Sequence, residues 1–225
     1  MLYAETYYQK LIKGKVVRYL DQRVYIIDDD EILGETIGRM LLSIGVQYAY
    51  FQSADQFIET FESTSWNTMR GCIICDIRLP GTSGIDCQKR LNSLHSSLPI
   101  IFMTGFADVQ MAIDVMRSGA FHLIEKPIRH QTLIDIVHDA FLVNDKLVHQ
   151  QQQKLAFSEK LSTLTPREND VLDLIVEGNP NKTISTRLDI SLRTVEVHRA
   201  RIFAKLEVKN VVELVRQIVT LNLSE

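Results

Sequence analysis

This sequence predicts a doubly wound, five-stranded parallel α/β sheet, then a linker and a small all-α helix-turn-helix domain. Three observations predict it. Between residues 24 and 144, five short apolar runs rich in β-branched residues alternate with stretches of helical spacing, the pattern of a parallel sheet covered on both faces. The runs are followed by polar or charged residues and by turn formers, where open α/β sheets place their chemistry. Beyond about residue 160 the strand-like runs cease and four short helical patterns follow, two of them flanking a tight turn.

In chain order, residues 1–22 form an extension with several Tyr and with Lys10, Lys13, Lys15 and Arg18. Tyr7, Tyr8, Leu11 and Ile12 fall near helical spacing, and a weakly ordered basic tail fits as well. The α/β domain is expected over 23–141. Its strands are Val24–Ile27, Tyr48–Phe51, Cys72–Cys75, Ile100–Met103 and Phe121–Glu125. Helical spacing through Ile37, Met40, Leu41 and Ile44 stops at Gly45, and Ser53 caps a helix carrying Phe57, Ile58 and Phe61. Further helices are expected from Gly84 to Leu94, from Val109 to Arg117 and from Ile128 to about Asn144. Residues 142–160, with Gln150 to Gln153 at their centre, read as a linker that continues as helix. The last domain spans 161–225. Thr165-Pro166-Arg167-Glu168 supplies an N-cap, a Pro at the first helical position and a Glu at the third. Helices over Lys182–Leu188, Leu192–Leu206 and Asn210–Leu221 follow.

A length of 225 residues fits one or two domains, and 45% hydrophobic residues support real cores. The net charge of -3 hides a local excess: from Lys182 to Lys209 there are seven basic and three acidic residues, the place to seek an anionic partner. Cys72 and Cys75 lie three apart on one strand, which puts them on opposite faces, so buried thiols are expected rather than a metal site or disulfide. No signal peptide is recognisable, and no apolar run reaches the ~18–20 residues of a membrane helix. A cytoplasmic protein without membrane association is expected.

The central strand ends on Asp76, before Pro80, Gly81 and Gly84. Alone, that carboxylate serves equally as a hydrogen-bond anchor for the turn. Three other segments change its meaning: Asp28-Asp29, Thr104 and Lys126 also stand at strand ends, and in a doubly wound sheet these ends meet in one crevice. Clustered carboxylates call for a cation, and hard oxygen ligands with open positions suit Mg²⁺. A carboxylate facing such a metal can attack phosphorus, with Lys126 and Thr104 placed to hold the attached phosphoryl group.

The motifs I-I-D-D-D, I-I-C-D-I-R-L-P-G-T-S-G, I-I-F-M-T-G and L-I-E-K-P resemble the receiver domain of two-component response regulators. L-T-P-R-E-N-D-V-L, E-G-N-P-N-K-T-I-S and R-T-V-E-V-H-R-A-R-I-F-A-K-L resemble the DNA-binding domain of the NarL/FixJ (LuxR-type) group. The resemblance implies that Asp76 accepts a phosphoryl group from a sensor histidine kinase. It implies that Asp29 binds Mg²⁺ directly, that Asp28 acts partly through water, and that the Arg78 main-chain carbonyl completes the protein ligands. Thr104 and Lys126 would read out the phosphoryl group, and Lys126-Pro127 would be cis. In many receivers an aromatic residue three before the lysine swings inward on activation; here that position is Leu123. Phe121, two residues earlier, is expected on the same strand face.

On a helical wheel Val195, Ile202 and Leu206 face inward, and Glu196, Val197, Ala200, Arg201 and Ala204 lie opposite. Family resemblance places Glu196, Val197 and Ala200 at base edges of the major groove. Lys182, Arg193, Thr194, Arg199, Arg201 and Lys205 are candidates for phosphate contacts, although the wheel sets Arg199 near the inner face. The family dimerises on DNA through the last helix, which nominates Val211, Val215 and Ile218. Asp189 stands where relatives usually carry Gly, and Pro180 and Ser185 also depart from the common pattern. The implied partners are double-stranded promoter DNA with two half-sites, the cognate kinase, a second copy of the chain and RNA polymerase. The rival reading is a DNA-binding regulator that ignores phosphorylation and uses its receiver only to dimerise. A phosphatase using an aspartyl-phosphate would want an acid two residues after the nucleophile, where this chain has Arg78; a turnover enzyme is not expected.

Overall fold

The computed structural model describes residues 10–12, 15–17, 21–105 and 109–222. The chain divides into two compact units, residues 1–150 and 151–225. In the first, β1 (Lys10–Ile12) pairs antiparallel with β2 (Lys15–Val17). The helix considered over Leu11 and Ile12 is therefore not formed: Gly14 weakens a helix there, and Val16-Val17 favours a strand. Tyr7 and Tyr8 lie outside the described residues.

The sheet contains β3 (Arg23–Ile27), β4 (Gln47–Phe51), β5 (Gly71–Asp76), β6 (Ile100–Thr104) and β7 (His122–Glu125), all parallel, in the order β4-β3-β5-β6-β7. Between them run α1 (Glu31–Leu42), α2 (Ala54–Thr60), a 3-10 turn (Trp66–Thr68), α3 (Gly84–Ser93) and α4 (Val109–Arg117). α5 (His130–Ser162) follows β7. Strand alternation sorts the apolar residues into two layers. Tyr25, Ile27, Ile73, Cys75, Ile100 and Phe102 pack with residues of α2 and α3. Val24, Ile26, Cys72, Ile74, Ile101 and Met103 pack with α1 and α5. Cys72 and Cys75 thus lie on opposite faces, both buried and unpaired, and burial raises both thiol pKa values.

α5 is 33 residues long, so residues 142–160 are helical throughout. Asn144 is fully buried at the base of the sheet. Its side chain accepts from the Gly71 N–H at 2.9 Å and donates to the Ser97 and Met69 carbonyls at 2.9 and 3.1 Å. Gln22, assigned from sequence to the extension, is buried too and donates to the Phe141 carbonyl at 3.3 Å.

In the second unit, α6 (Pro166–Val176), α7 (Asn181–Leu188), α8 (Leu192–Leu206) and α9 (Val211–Asn222) surround one core. Val171, Ile175, Ile184, Val195, Ile202, Leu206 and Leu214 fill it, with Phe157 from the end of α5. The reciprocal capping box of Thr165 and Glu168 starts α6. The α7–α8 turn is closed at Asp189, which adopts φ 51° and ψ 51°, a left-handed conformation that Asp tolerates better than most residues. The Ser185 hydroxyl donates to the Ile190 carbonyl at 2.5 Å and the Ile190 N–H returns to the Ser185 carbonyl at 3.1 Å. Two departures from the usual pattern, Asp189 and Ser185, thus belong to one stitched turn. Among the described residues, no helix is long and apolar enough to cross a membrane.

Candidate functional site

The parallel register brings the strand ends together. Ile27 pairs with both Phe51 and Cys75, Asp76 with Met103, and Thr104 with Glu125. Asp28, Asp76, Thr104 and Lys126 therefore sit at the end of four strands on one rim. One carboxylate oxygen from each of Asp28, Asp29 and Asp76 lies within 4.8 Å of the others. Asp28 and Asp76 are buried, as is Thr104, while Asp29 is exposed. This separates the two adjacent acids: one belongs to the wall and one faces solvent.

Lys126 Nζ donates to Asp28 Oδ2 at 2.9 Å and also to Asp76 Oδ2. Burial alone would lower the lysine pKa, but the bonds to Asp76 and Asp28 outweigh it and leave the pKa raised. Burial is also the main reason that the Asp28 carboxyl is raised, against the opposing Asp30 N–H and Lys126. The second Asp76 oxygen accepts the Arg78 N–H at 2.7 Å. Lys126 is fixed in turn by its own N–H, which donates to the Thr104 carbonyl at 2.7 Å, and the Lys126-Pro127 bond is cis as the resemblance implied. Asp30 is engaged elsewhere: it caps α1 by accepting the Leu33 N–H at 3.1 Å.

The loop after β5 is held by its neighbours. A Cβ on Gly84 would come within 2.3 Å of the Asp76 carbonyl oxygen, so only glycine lets α3 start this close to the strand end. Thr82 donates to Asp55 Oδ1 at 3.0 Å, which ties the loop to the first turn of α2. Sequence reasoning missed both Asp55 and Tyr50, whose hydroxyl donates to the Asp28 carbonyl at 2.7 Å. Neither has a local signal, since each partner lies more than 20 residues away. Leu123 is half-buried and packs with the α2–α3 layer, whereas Phe121 packs with the α1–α5 layer. The expectation that they share a face is corrected: Phe121 precedes β7, so strand alternation does not reach it.

On α8, Val195, Ile202 and Leu206 are buried, and Arg193, Glu196, Val197, Ala200, Arg201 and Ala204 are exposed, as is Lys182 on α7. Thr194 is half-buried and its hydroxyl pairs with Ser191, the N-cap of α8, at 2.8 Å. Arg199 lies near the inner face as the wheel indicates, with its guanidinium 5.5 Å from the centre of the Phe203 ring. Lys205 departs from the expectation of a phosphate contact. Its ammonium donates to the buried Glu168 carboxylate at 2.6 Å and to the Thr163 carbonyl at 2.9 Å, so its charge is spent inside the unit. α9 also differs. Val211 and Ile218 lean on the core of their own unit. Among the described residues of α9, the outward apolar positions are Val212 and Val219, 79% and 45% exposed, with the half-buried Val215 between them.

A five-stranded parallel sheet with three acids and a lysine on its rim defines a receiver-type domain. Residues 24–138 match the response regulator receiver domain, and residues 162–218 match the bacterial regulatory proteins of the luxR family. The chain belongs to the response regulators that join these two domains, and so to the two-component regulators of transcription. It is 35% identical over 191 residues to the transcriptional regulatory protein TdiR of Thauera aromatica, covering 85% of this chain and 82% of that one. It is 36% identical over 199 residues to FixJ of Rhizobium meliloti, covering 87% and 94%. Among solved structures, the response regulator StyR matches with a TM-score of 0.73 at 32% identity, covering 88% of this chain and 98% of that one.

Proposed function

We propose that Asp76 accepts a phosphoryl group from a sensor histidine kinase in a Mg²⁺-dependent reaction, and that this promotes dimerisation and promoter binding. The observation that carries the reading is the convergence of Asp28, Asp29 and Asp76 within 4.8 Å, opposite Lys126. The donor set fits a small hard cation: three carboxylates, one of them open to solvent, with a lysine too little to balance them. Asp29, Asp76 and the Arg78 carbonyl would hold the ion, with Asp28 acting partly through water. Bound there, Mg²⁺ supplies charge neutralisation to the oxygens of the transferring phosphoryl group.

The chain's own groups do the rest. An Asp76 carboxylate oxygen forms the bond to phosphorus as the bond from phosphorus to the donor's histidine nitrogen breaks. Lys126 moves its hydrogen bond from the carboxylate to a phosphoryl oxygen, and the Thr104 hydroxyl donates to another. In the second unit, Glu196, Val197 and Ala200 meet base edges, while Lys182, Arg193, Arg201 and the partly covered Arg199 meet phosphates. The cap-bound Thr194 contributes its hydroxyl at the start of α8. Dimer contacts on α9 centre on Val212, Val215 and Val219, the side that its own core leaves open.

The test is phosphorylation by a small phosphodonor, read by mass spectrometry. Asp76→Asn, nearly isosteric, is expected to abolish uptake with the fold intact, and Asp29→Ala to remove Mg²⁺ dependence. An Asp76→Asn protein that still gains one hydroxylamine-sensitive phosphate would show the wrong carboxylate had been chosen.

A further inference from the structure

Tyr48 and Tyr50 alternate on β4 and both pack with the α1–α5 layer. α1 offers each of them a glycine, Gly38 and Gly34, one helical turn apart. A Cβ on Gly34 would come within 2.3 Å of the Tyr50 ring, and one on Gly38 within 2.3 Å of the Tyr48 ring. The rings occupy space that a larger residue at either position would fill. As packing devices the two pairs are equivalent.

They differ at the hydroxyl. Tyr50 donates to the Asp28 carbonyl at 2.7 Å. The Asp28 N–H donates to the Phe51 carbonyl at 3.1 Å. The β3–β4 ladder ends at Ile27 and Phe51, so the Tyr50 side chain carries the tie one peptide further. That peptide joins Asp28 to Asp29, and its plane sets the direction from which the exposed Asp29 carboxylate leaves the chain. The side chain of Asp28 is meanwhile held by the Asp30 N–H at 2.9 Å and by Lys126 at 2.9 Å. Without the Tyr50 hydroxyl, the Asp28–Asp29 peptide keeps, among the described residues, only the turn closed by the Asp30 N–H on Asp28 Oδ1 as a restraint.

We propose that Tyr50 is a positioning residue of the cation site, its hydroxyl orienting the Asp28–Asp29 peptide and Gly34 admitting its ring. This rests on reading the acidic rim as a Mg²⁺ site. A single neutral hydrogen bond to the backbone beside a ligand, rather than to the ligand itself, corresponds to roughly threefold to tenfold in metal affinity.

The experiment is calorimetric titration of the full-length, unphosphorylated protein with MgCl₂, beside thermal unfolding, for wild type, Tyr50→Phe, Tyr48→Phe and Gly34→Ala. Tyr50→Phe is expected to weaken Mg²⁺ binding about threefold to tenfold, with an unfolding temperature close to that of Tyr48→Phe. Tyr48→Phe should bind Mg²⁺ like wild type, and Gly34→Ala, by displacing the ring, should weaken binding at least as much as Tyr50→Phe. The phosphorylation rate of Tyr50→Phe with a small phosphodonor should return to the wild-type value at saturating Mg²⁺. Equal affinity in wild type and Tyr50→Phe, or equal weakening by Tyr48→Phe, overturns the inference and leaves the cation site standing. A wild-type protein that binds no Mg²⁺ overturns the reading beneath it.

Discussion

Glu168 and Lys205 show what a single charged pair does in a small helical unit. Glu168 closes the capping box with Thr165 and is almost wholly buried, and Lys205 reaches it from 37 residues away. The bond from Lys205, then the Thr165 N–H, hold the Glu168 carboxyl down to about 2 from an ordinary 4.5. A carboxyl depressed on folding favours the folded state above its unfolded pKa, and that contribution is lost as pH falls through its folded pKa. The unit should therefore lose stability between about pH 4.5 and 2, and Glu168→Gln should flatten the dependence in that window; urea unfolding at pH 5 and pH 3 measures it. Lys205→Gln gives the complementary outcome. Leaving the buried carboxylate without its cation, with the Thr165 N–H still bonded to it, should cost roughly 2–3 kcal/mol, with the salt dependence of DNA binding unchanged. A salt slope lower by about one unit would return Lys205 to the phosphate contacts.

At the scale of elements, Asn144 adds a polar tie to the apolar packing of α5 against the sheet. Its amide satisfies the Gly71 N–H and the Met69 and Ser97 carbonyls at once, and Arg70 pairs with Asp145 beside it at 3.1 Å. Asn144→Ala should destabilise the first unit by roughly 2–4 kcal/mol, because buried groups lose their partners together. Asp145→Ala, at a half-exposed pair, should cost under about 1 kcal/mol. Equal losses in denaturant unfolding would show that the amide cluster carries no special weight. The cluster also marks where reading from sequence stops. β5 and β6 were readable because Ile73, Ile74, Ile100 and Ile101 sit between turn formers, and α6 because Thr165 and Glu168 declare its start. The end of α5 was blurred by Gln150 to Gln153, polar residues that suit a helix and a loop equally. Tyr50 on Asp28, Thr82 on Asp55 and Lys205 on Glu168 leave no signal in the sequence, since each depends on tertiary register rather than spacing. The strand-end acids are legible in the sequence because parallel topology alone brings them together.

For the molecule as a whole, the question is how strongly phosphorylation is heard. Under the proposed phosphorylation of Asp76, the step that carries the signal beyond the rim is assigned to Leu123. In many receivers an aromatic ring at this position turns inward as the threonine moves. Leu123 has no ring to rotate and no polar tip to expose, and it is already packed against the α2–α3 layer. Phe121 cannot replace it, because that ring packs with the opposite layer. If Thr104 moves toward the phosphoryl group as proposed, the side chain that follows it is expected to change little, which would leave a small energy gap between the two states. Allosteric couplings are typically about 1–3 kcal/mol, and the lower end is expected here. Some dimer should then form without phosphate, and phosphorylation should tighten operator binding about tenfold or less. Leu123→Tyr should widen the response by restoring a ring that has two places to sit. The measurement is dimerisation and operator affinity of the full-length protein with and without beryllofluoride. A gain of several hundredfold in the wild type, with no dimer in its absence, would leave Leu123 an ordinary core residue and place the switch elsewhere.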